Sequence, residues 1–243
     1  MSALGQKQTL RHLQPMSALP PKADIVLQQD RDVSFVPISS LQPMENVKMV
    51  DMPMRCRCGH MRGVASAVSP SAGFRFVCYC KDCQAFARFL KRPDILDAGG
   101  GTDIFQLPPS QVTFTAGLDA LRCVRVSDKV LRWFADCCRT PIANTAAGPR
   151  FPVVALIHSI IDCAADEPSR DALLGPPLCR IYEHSAIGPL RSNAPPPSLR
   201  VFAYRAIKVA GWWMRGLAQP NPFFDDRTKA PRSVPQLLLS GAK

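Results

Sequence analysis

The sequence predicts a mainly β protein, and three observations support that class. The 243 residues are 47% hydrophobic and 20% charged, which is typical of a globular chain. From Cys56 to about Ile142, short runs rich in β-branched and aromatic residues alternate with turn-forming residues. Partial alternation of apolar and polar residues within these runs predicts strands over FRFVCYC, SQVTFTAG, LRCVRVS and VLRWFADCC.

The remaining segments predict a few further elements. DCQAFARFLKR predicts a short helix over residues 82–92, and AGGG at 98–101 predicts a loop. FPVVALIHSIID, residues 151–162, is apolar throughout and fits either a buried strand or a buried helical segment. LCRIYEHSAIG, residues 178–188, predicts a last strand.

Composition divides the chain into four parts. We expect a poorly ordered N-terminal extension over 1–50, a cysteine-rich β domain over 51–190, a Pro-rich linker over 191–198, and a helix with an irregular tail over 199–243. The helix is amphipathic and basic, because Arg200, Arg205, Lys208 and Arg215 project within one arc of about 140° on a helical wheel. We expect residues 199–217 to dock on the β domain, to bind a protein partner, or to lie on an anionic membrane surface.

The charge and the first residues restrict location and partners. The net charge is +11, and residues 198–243 carry eight Lys or Arg against two Asp. Such a basic tail either meets an anionic partner or is simply solvated. No apolar stretch of the kind that a secretory signal requires occurs at the start, so we expect a cytoplasmic protein. We expect no specific nucleic-acid binding, because neither a histidine pair nor a basic recognition helix follows the cysteines.

The cysteines form the strongest functional signal. Pairs spaced C-x-C or C-x-x-C supply two thiolates to one metal from a single turn. Seven thiols fall into three clusters: Cys56 and Cys58 are spaced C-x-C, Cys78, Cys80 and Cys83 are spaced C-x-C-x-x-C, and Cys137 and Cys138 are adjacent. We expect these clusters to bind metal. The alternatives to a metal site are a redox pair in CKDC and a disulfide framework. The redox pair leaves the other clusters unexplained, and the disulfide framework needs an oxidising compartment.

Several other residues have ordinary structural interpretations. Cys123, Cys163 and Cys179 stand alone in apolar runs, so we expect them to be small buried side chains. We expect His60 at the surface and His158 in the core. Asp82 could accept a proton near a metal, but a solvated turn residue is the simpler interpretation.

The motifs CRCG, CYCKDCQ and CCRTP resemble those of the glutathione-dependent formaldehyde-activating enzyme (GFA) family, over roughly residues 56–185. The stretches CYCKDCQAFARFL, GGTDIFQ and CCRTPIANT look like an uncharacterised bacterial branch of it. The resemblance implies a β-tent fold of antiparallel sheets that carries two zinc ions per chain. It also implies carbon–sulfur lyase activity on S-hydroxymethylglutathione or another thiol adduct, with glutathione as co-substrate.

The resemblance also assigns roles to the cysteines. Cys56, Cys58 and Cys138 match the structural zinc ligands, and Cys137 is placed to supply a fourth thiolate. The catalytic zinc, with an open fourth position, would be held by Cys78, Cys80 and Cys83. The chain departs from the family pattern at Tyr79, Gln84 and Arg139, where the family has histidine, arginine and glycine. An alternative function is therefore a non-catalytic zinc module whose basic helix binds a partner or a membrane surface.

Overall fold

The computed structural model describes residues 49–162 and 170–238. Residues 1–48 of the predicted N-terminal extension lie outside the described residues, and so does Cys163. In chain order the elements are β1 Val50–Arg55, β2 Arg62–Val68, β3 Phe74–Cys78, α1 Lys81–Leu90, β4 Thr102–Leu107, β5 Val112–Ala116, β6 Leu121–Ser127, β7 Val130–Ala135, β8 Thr140–Ala146, β9 Val154–Ile157, α2 Arg170–Leu174, β10 Cys179–Ile181, α3 Leu199–Met214 and β11 Gln236–Leu237. Across the described part of the chain, the predicted mainly β class is confirmed.

The strands form two sheets. A three-stranded antiparallel sheet has the order β1-β2-β5, and an eight-stranded sheet has the order β10-β3-β4-β9-β8-β7-β6-β11. Within the larger sheet the consecutive pairs are antiparallel except at the two edges, where β10 runs parallel to β3 and β11 parallel to β6. The expectation of purely antiparallel sheets therefore fails at the edges, since each edge strand arrives from a distant part of the chain.

The main core contains residues from both sheets, and a second apolar cluster lies under α1. Strand β7 shows how the two are separated, because successive side chains of a strand point to opposite faces. Trp133 belongs to the core shared with β1 and β2, whereas Phe134 packs with Phe86 and Leu90 of α1. Arg132, between Leu131 and Trp133, therefore lies on the α1 side of the sheet.

The structure resolves the ambiguous segments of the sequence. The apolar run at 151–162 contains the strand β9, whose four residues are buried between β4 and β8. Helix α1 is confirmed, and it ends at Lys91, whose φ of 55° places it in the left-handed region. The predicted last strand is only three residues long, because Tyr182 with φ 60° turns the chain away.

The predicted C-terminal helix is present as α3, and it is docked on the β domain. Arg205 Nε donates a 2.8 Å hydrogen bond to Gln106 Oε1 on β4, and Lys208 Nζ donates to the carbonyl of Ser71. The Pro-rich segment before the helix also packs, since Arg180 Nη1 donates to the carbonyl of Ala194 at 2.6 Å. No helix among the described residues is both long enough and apolar enough to cross a bilayer.

The tail after α3 is irregular, as predicted, but it contributes to the core. Phe223 and Phe224 are 0% and 1% exposed and belong to the same apolar cluster as Trp133. The Phe223 ring centroid lies 5.2 Å from that of Trp133 and 5.5 Å from that of Phe114. Phe223 thus bridges the two sheets, and Phe224 adds a further ring contact with Trp133.

Candidate metal centres

Cys56, Cys58, Cys137 and Cys138, the four-cysteine group, bring their sulfur atoms together within 4.8 Å of one another. The Sγ atom of Cys137 lies 3.8 Å from that of Cys56, 3.4 Å from that of Cys58 and 3.8 Å from that of Cys138. A zinc ion with four thiolates at about 2.3 Å requires sulfur–sulfur separations near 3.8 Å. The group therefore has the dimensions of a tetrahedral zinc site.

Two turns build the four-cysteine group. Cys56 and Cys58 lie in the connection between the antiparallel strands β1 and β2, and Cys137 and Cys138 lie in the connection between β7 and β8. Adjacent cysteines can face one centre only if the backbone bends sharply. Arg139 supplies such a bend, because its φ of 59° lies in the left-handed region.

Within the four-cysteine group, hydrogen bonds favour the thiolate form of Cys138, whereas burial raises the pKa values of Cys56 and Cys137. Burial tends to raise the pKa of the Cys138 thiol, but hydrogen bonding with Thr140 and backbone amides outweighs burial and lowers that pKa to about 6. Cys138 Sγ lies 3.1 Å from Thr140 Oγ1, and the backbone amide of Met61 donates to Cys56 Sγ at 3.2 Å. Such N–H and O–H donors stabilise a negative sulfur.

Cys78, Cys80 and Cys83, the three-cysteine group, form the second centre, and their sulfur atoms also lie within 4.8 Å of one another. Cys78 is the last residue of β3, and Cys80 is the N-cap of α1, where its sulfur accepts from the Cys83 amide at 3.4 Å. Cys83 lies on the first helical turn. A strand end and a helix start are therefore sufficient to bring the three thiols together.

Arg132 supplies the positive charge beside the three-cysteine group. Its side chain is 6% exposed, and its Nη1 donates to Cys83 Sγ at 3.5 Å and to Asn144 Oδ1 at 3.2 Å, while Nη2 pairs with Asp82 at 3.5 Å. Burial alone would lower the pKa of this guanidinium, but the nearby Cys83 and Cys80 thiolates give it a net rise. The cation and the thiolates stabilise each other.

The thiols of the three-cysteine group are not equivalent. Hydrogen bonds from the Cys78 and Cys83 thiols lower the pKa of Cys80 to about 2, and the same contacts raise the pKa of Cys78. Cys80 is therefore the thiol of this group that most readily becomes a thiolate, and a bound cation would replace the protons that the group still holds. Such a site gains a metal ion with release of protons.

The three-cysteine group opens into a cavity of about 750 Å³. Lys81, Arg132 and Arg205 place three cations in its wall, with Asp82 as the acidic residue. Arg205 comes from α3, so the docked helix completes the wall. A cavity of this size with a cationic lining suits an anionic small molecule.

Tyr79 and Gln84, two of the departures from the family pattern, do not line this cavity. The Tyr79 hydroxyl donates to Asp97 Oδ2 at 2.8 Å, and Gln84 Nε2 donates to the carbonyls of Tyr79 and Ser185 at 2.9 and 2.8 Å. A Cβ atom at Gly101 would lie 2.7 Å from the Tyr79 ring. The glycine loop is therefore packed against Tyr79, and both replacements have structural contacts of their own.

The other predicted residues occupy ordinary positions. Cys123 and Cys179 are 0% and 2% exposed and belong to neither cysteine group, as expected. His60 is at the surface, where its side chain is 50% exposed, also as expected. Asp82 is half-buried in the first turn of α1, where it pairs with Arg132 rather than standing free in solvent.

His158 is only partly buried and lines a second cavity, of about 900 Å³. Its Nδ1 atom is buried and has no hydrogen-bond partner among the described residues. Arg75 in the same wall forms ion pairs with Asp103 and Asp171, each at 2.6 Å. The prediction that His158 lies in the core is thus met only in part, because its side chain is only partly buried. The two ion pairs compensate the charge of Arg75 in this cavity.

The donor sets of both groups fit zinc. Thiolate sulfur is a soft ligand that zinc accepts in tetrahedral sites, four ligands closing a site and three leaving a position open. Cys137, which the resemblance left as an added ligand, lies in contact with the other sulfurs of its group. Both groups can therefore hold a metal ion, the first with its coordination complete.

Sequence reasoning missed two residues of the cavity, Arg132 and Arg205. Arg132 lies in the middle of the strand run VLRWFA, and a charged residue flanked by large apolar ones in a strand is a signal of a buried partner. Arg205 carries no comparable signal, because its position over the cavity depends on how α3 docks.

The family model described as "Family of unknown function (DUF6151)" matches residues 47–232, about three quarters of the chain, and this range includes both cysteine groups. No curated protein matches the chain. By the extent of this match, the chain belongs to the DUF6151 family.

Proposed function

We propose that the chain is a GFA-like zinc protein with a β-tent fold, a structural zinc at the four-cysteine group and a catalytic zinc at the three-cysteine group. The observation that carries this proposal is the contrast between the two groups. One has four sulfurs within 4.8 Å of one another, and the other has three sulfurs that line a cationic cavity. Structural zinc sites are closed, whereas catalytic zinc sites keep a position free for substrate or water.

The proposed reaction makes and breaks a carbon–sulfur bond in a thiol adduct. A thiolate sulfur attacks the carbonyl carbon of an aldehyde, the C–S bond forms, and the carbonyl oxygen takes a proton to become a hydroxyl. The lyase direction reverses these changes. Zinc bound at the three-cysteine group would supply Lewis acidity that favours the thiolate form of a thiol.

The residues of the cavity bind and orient the substrate. Glutathione and its adducts carry two carboxylates, which suit the cationic side chains of Lys81 and Arg205. Arg132 is held by Asn144 and Asp82, so it keeps its charge at a fixed place beside the sulfurs. A charge that is already in position needs no reorganisation during the reaction.

Metal analysis of the purified chain tests the two sites. We expect about two zinc ions per chain in the wild type, and about one in both Cys56→Ser and Cys80→Ser. Cys123→Ser is the matched control, because Cys123 is as buried as Cys56 and belongs to neither group. Its sulfur donates to the Ser233 carbonyl, as a hydroxyl also can. If the wild type holds about one zinc per chain and Cys80→Ser does not lower that content, the proposed catalytic zinc site is wrong.

Exchange spectroscopy by NMR tests the activity. Glutathione and formaldehyde are mixed with the zinc-loaded chain, and the interconversion with S-hydroxymethylglutathione is measured. We expect faster exchange with the wild type and Cys123→Ser than with Cys80→Ser. Equal rates with bound zinc intact would leave the alternative, a zinc module without this catalysis.

A further inference from the structure

The outer face of α3, defined as Leu199, Phe202, Ala203, Ala206, Ile207, Ala210, Trp213 and Met214, is apolar and exposed. Its members recur every three or four residues, so they form one stripe along the helix. The exposed fractions are 84% for Leu199, 72% for Ile207, 67% for Trp213 and 77% for Met214. No described element covers this face.

This exposure does not come from a loosely attached helix. The opposite side of α3 is docked through Arg205, Lys208 and Trp212, with Trp212 only 6% exposed. A surface helix normally turns its apolar stripe to the core and its charges to solvent. Here the docking uses charged side chains, and the large apolar side chains point outward. Exposing this apolar stripe to water is unfavourable unless a membrane or another protein covers it.

The charge around α3 indicates what kind of surface covers the stripe. Between Arg191 and Phe224 the sequence contains five Lys or Arg and no Asp or Glu. Arg200 and Arg215 lie at the two ends of the helix, about 22 Å apart, and both are exposed. The face therefore combines an apolar strip with a positive rim.

We propose that the outer face of α3 binds an anionic membrane surface, with the helix lying in the plane of the interface. The apolar stripe would enter the boundary between headgroups and acyl chains, Trp213 would lie at headgroup level, and Arg200 and Arg215 would meet lipid phosphates. A second copy of the chain on the same face would bring two positive rims together, which disfavours a symmetric dimer. A membrane surface rich in anionic lipid satisfies both the apolar strip and the charge.

Tryptophan fluorescence offers a direct test with the full chain. The sequence has three tryptophans, of which Trp133 and Trp212 are buried and Trp213 is exposed. Vesicles of phosphatidylcholine containing about 30% phosphatidylserine should shift the emission to shorter wavelength, and pure phosphatidylcholine should do so much less. Trp213→Phe should abolish the shift while the chain still cosediments with the anionic vesicles.

Substitutions on the exposed stripe test the geometry without disturbing the core. We expect Ile207→Glu to lower the vesicle partition coefficient at least about tenfold, since it removes a large apolar group and adds a negative charge. The matched control is Val234→Glu, at a residue that is 87% exposed outside α3, and it should bind within about twofold of the wild type. Arg200→Gln and Arg215→Gln should each weaken binding about fivefold.

Three results would overturn the proposal. The first is an emission spectrum that anionic vesicles leave unchanged. The second is protection of Trp213 from iodide quenching in the vesicle-free monomer, which would mean that the chain itself covers the face. The third is a wild-type dimer in analytical ultracentrifugation that Ile207→Glu dissociates, which would assign the face to a second copy.

Discussion

Replacing Arg132 with methionine should weaken metal binding at the three-cysteine group and leave the four-cysteine group unchanged. The guanidinium lies 3.5 Å from Cys83 Sγ and is 6% exposed, so solvent screens this contact poorly. Methionine keeps much of the side-chain volume and removes the charge. The sulfurs then bind protons more tightly, and a metal ion must displace those protons.

The magnitude follows from the distance. Two unit charges 3.5 Å apart interact by about 5 kcal/mol at an effective dielectric constant near 20. The site opens into a cavity and Asp82 shares the guanidinium, so we expect about half of this to be realised. A loss of about 2–3 kcal/mol corresponds to zinc affinity lower by roughly 30- to 100-fold.

Competition against a chromogenic zinc chelator measures this change. The four-cysteine group serves as an internal reference, because its affinity should stay the same. Arg88→Met is the matched control, since Arg88 lies on α1 like Cys83 but is exposed to solvent. If the weaker site of Arg132→Met keeps its affinity within about threefold, the electrostatic account of this site is wrong.

Two further predictions concern stability. Phe223→Ala should lower the free energy of unfolding by about 3–5 kcal/mol in denaturant titration, because Phe223 is fully buried against Trp133. The exposed control Val234→Ala should change it by less than about 0.5 kcal/mol. A loss below about 1 kcal/mol for Phe223→Ala would show that the tail is not part of the core. Burial, and the charge of Arg170, lower the pKa of His158 in the folded state. Its neutral form is therefore favoured by folding, and the contribution is present above the unfolded pKa of about 6.5 and lost as pH falls through the folded pKa. Wild type should lose more stability than His158→Gln between pH 7 and pH 5, and parallel curves for the two proteins would contradict this.

The elements with strong local patterns were predictable from the sequence. The runs around β5, β6 and β7 appear as strands, and α1 and α3 as helices, because alternation and helical periodicity report which side chains are buried. The edge strand β11 and the shortness of β10 were not predictable. Their pairing with β6 and β3 joins residues far apart in sequence, and no local pattern encodes such a parallel contact.

The metal centres divide in the same way. The spacing of the cysteines by itself determined which thiols could share a metal, because residues one to three apart in a turn supply neighbouring ligands whatever surrounds them. The spacing did not say which clusters meet: the family resemblance grouped Cys56 and Cys58 with Cys138, and the tertiary structure brings the sulfur of the adjacent Cys137 to that of Cys56. It also placed Arg132 and Arg205 at the other group. Strand register and helix docking set these contacts, and both depend on the packing of the whole chain rather than on neighbouring residues.

The same reasoning applies to α3. The amphipathic pattern of the helix was readable in the sequence, and so was its excess of positive charge. Which side faces the protein was not, because a pattern normally implies that the apolar side is buried. Two specific contacts, from Arg205 to Gln106 and from Lys208 to the Ser71 carbonyl, hold the charged side inward and leave the apolar side in solvent. Helix formation is therefore a local property of this sequence, whereas the direction that the helix faces is set by partners about 100 residues away or further.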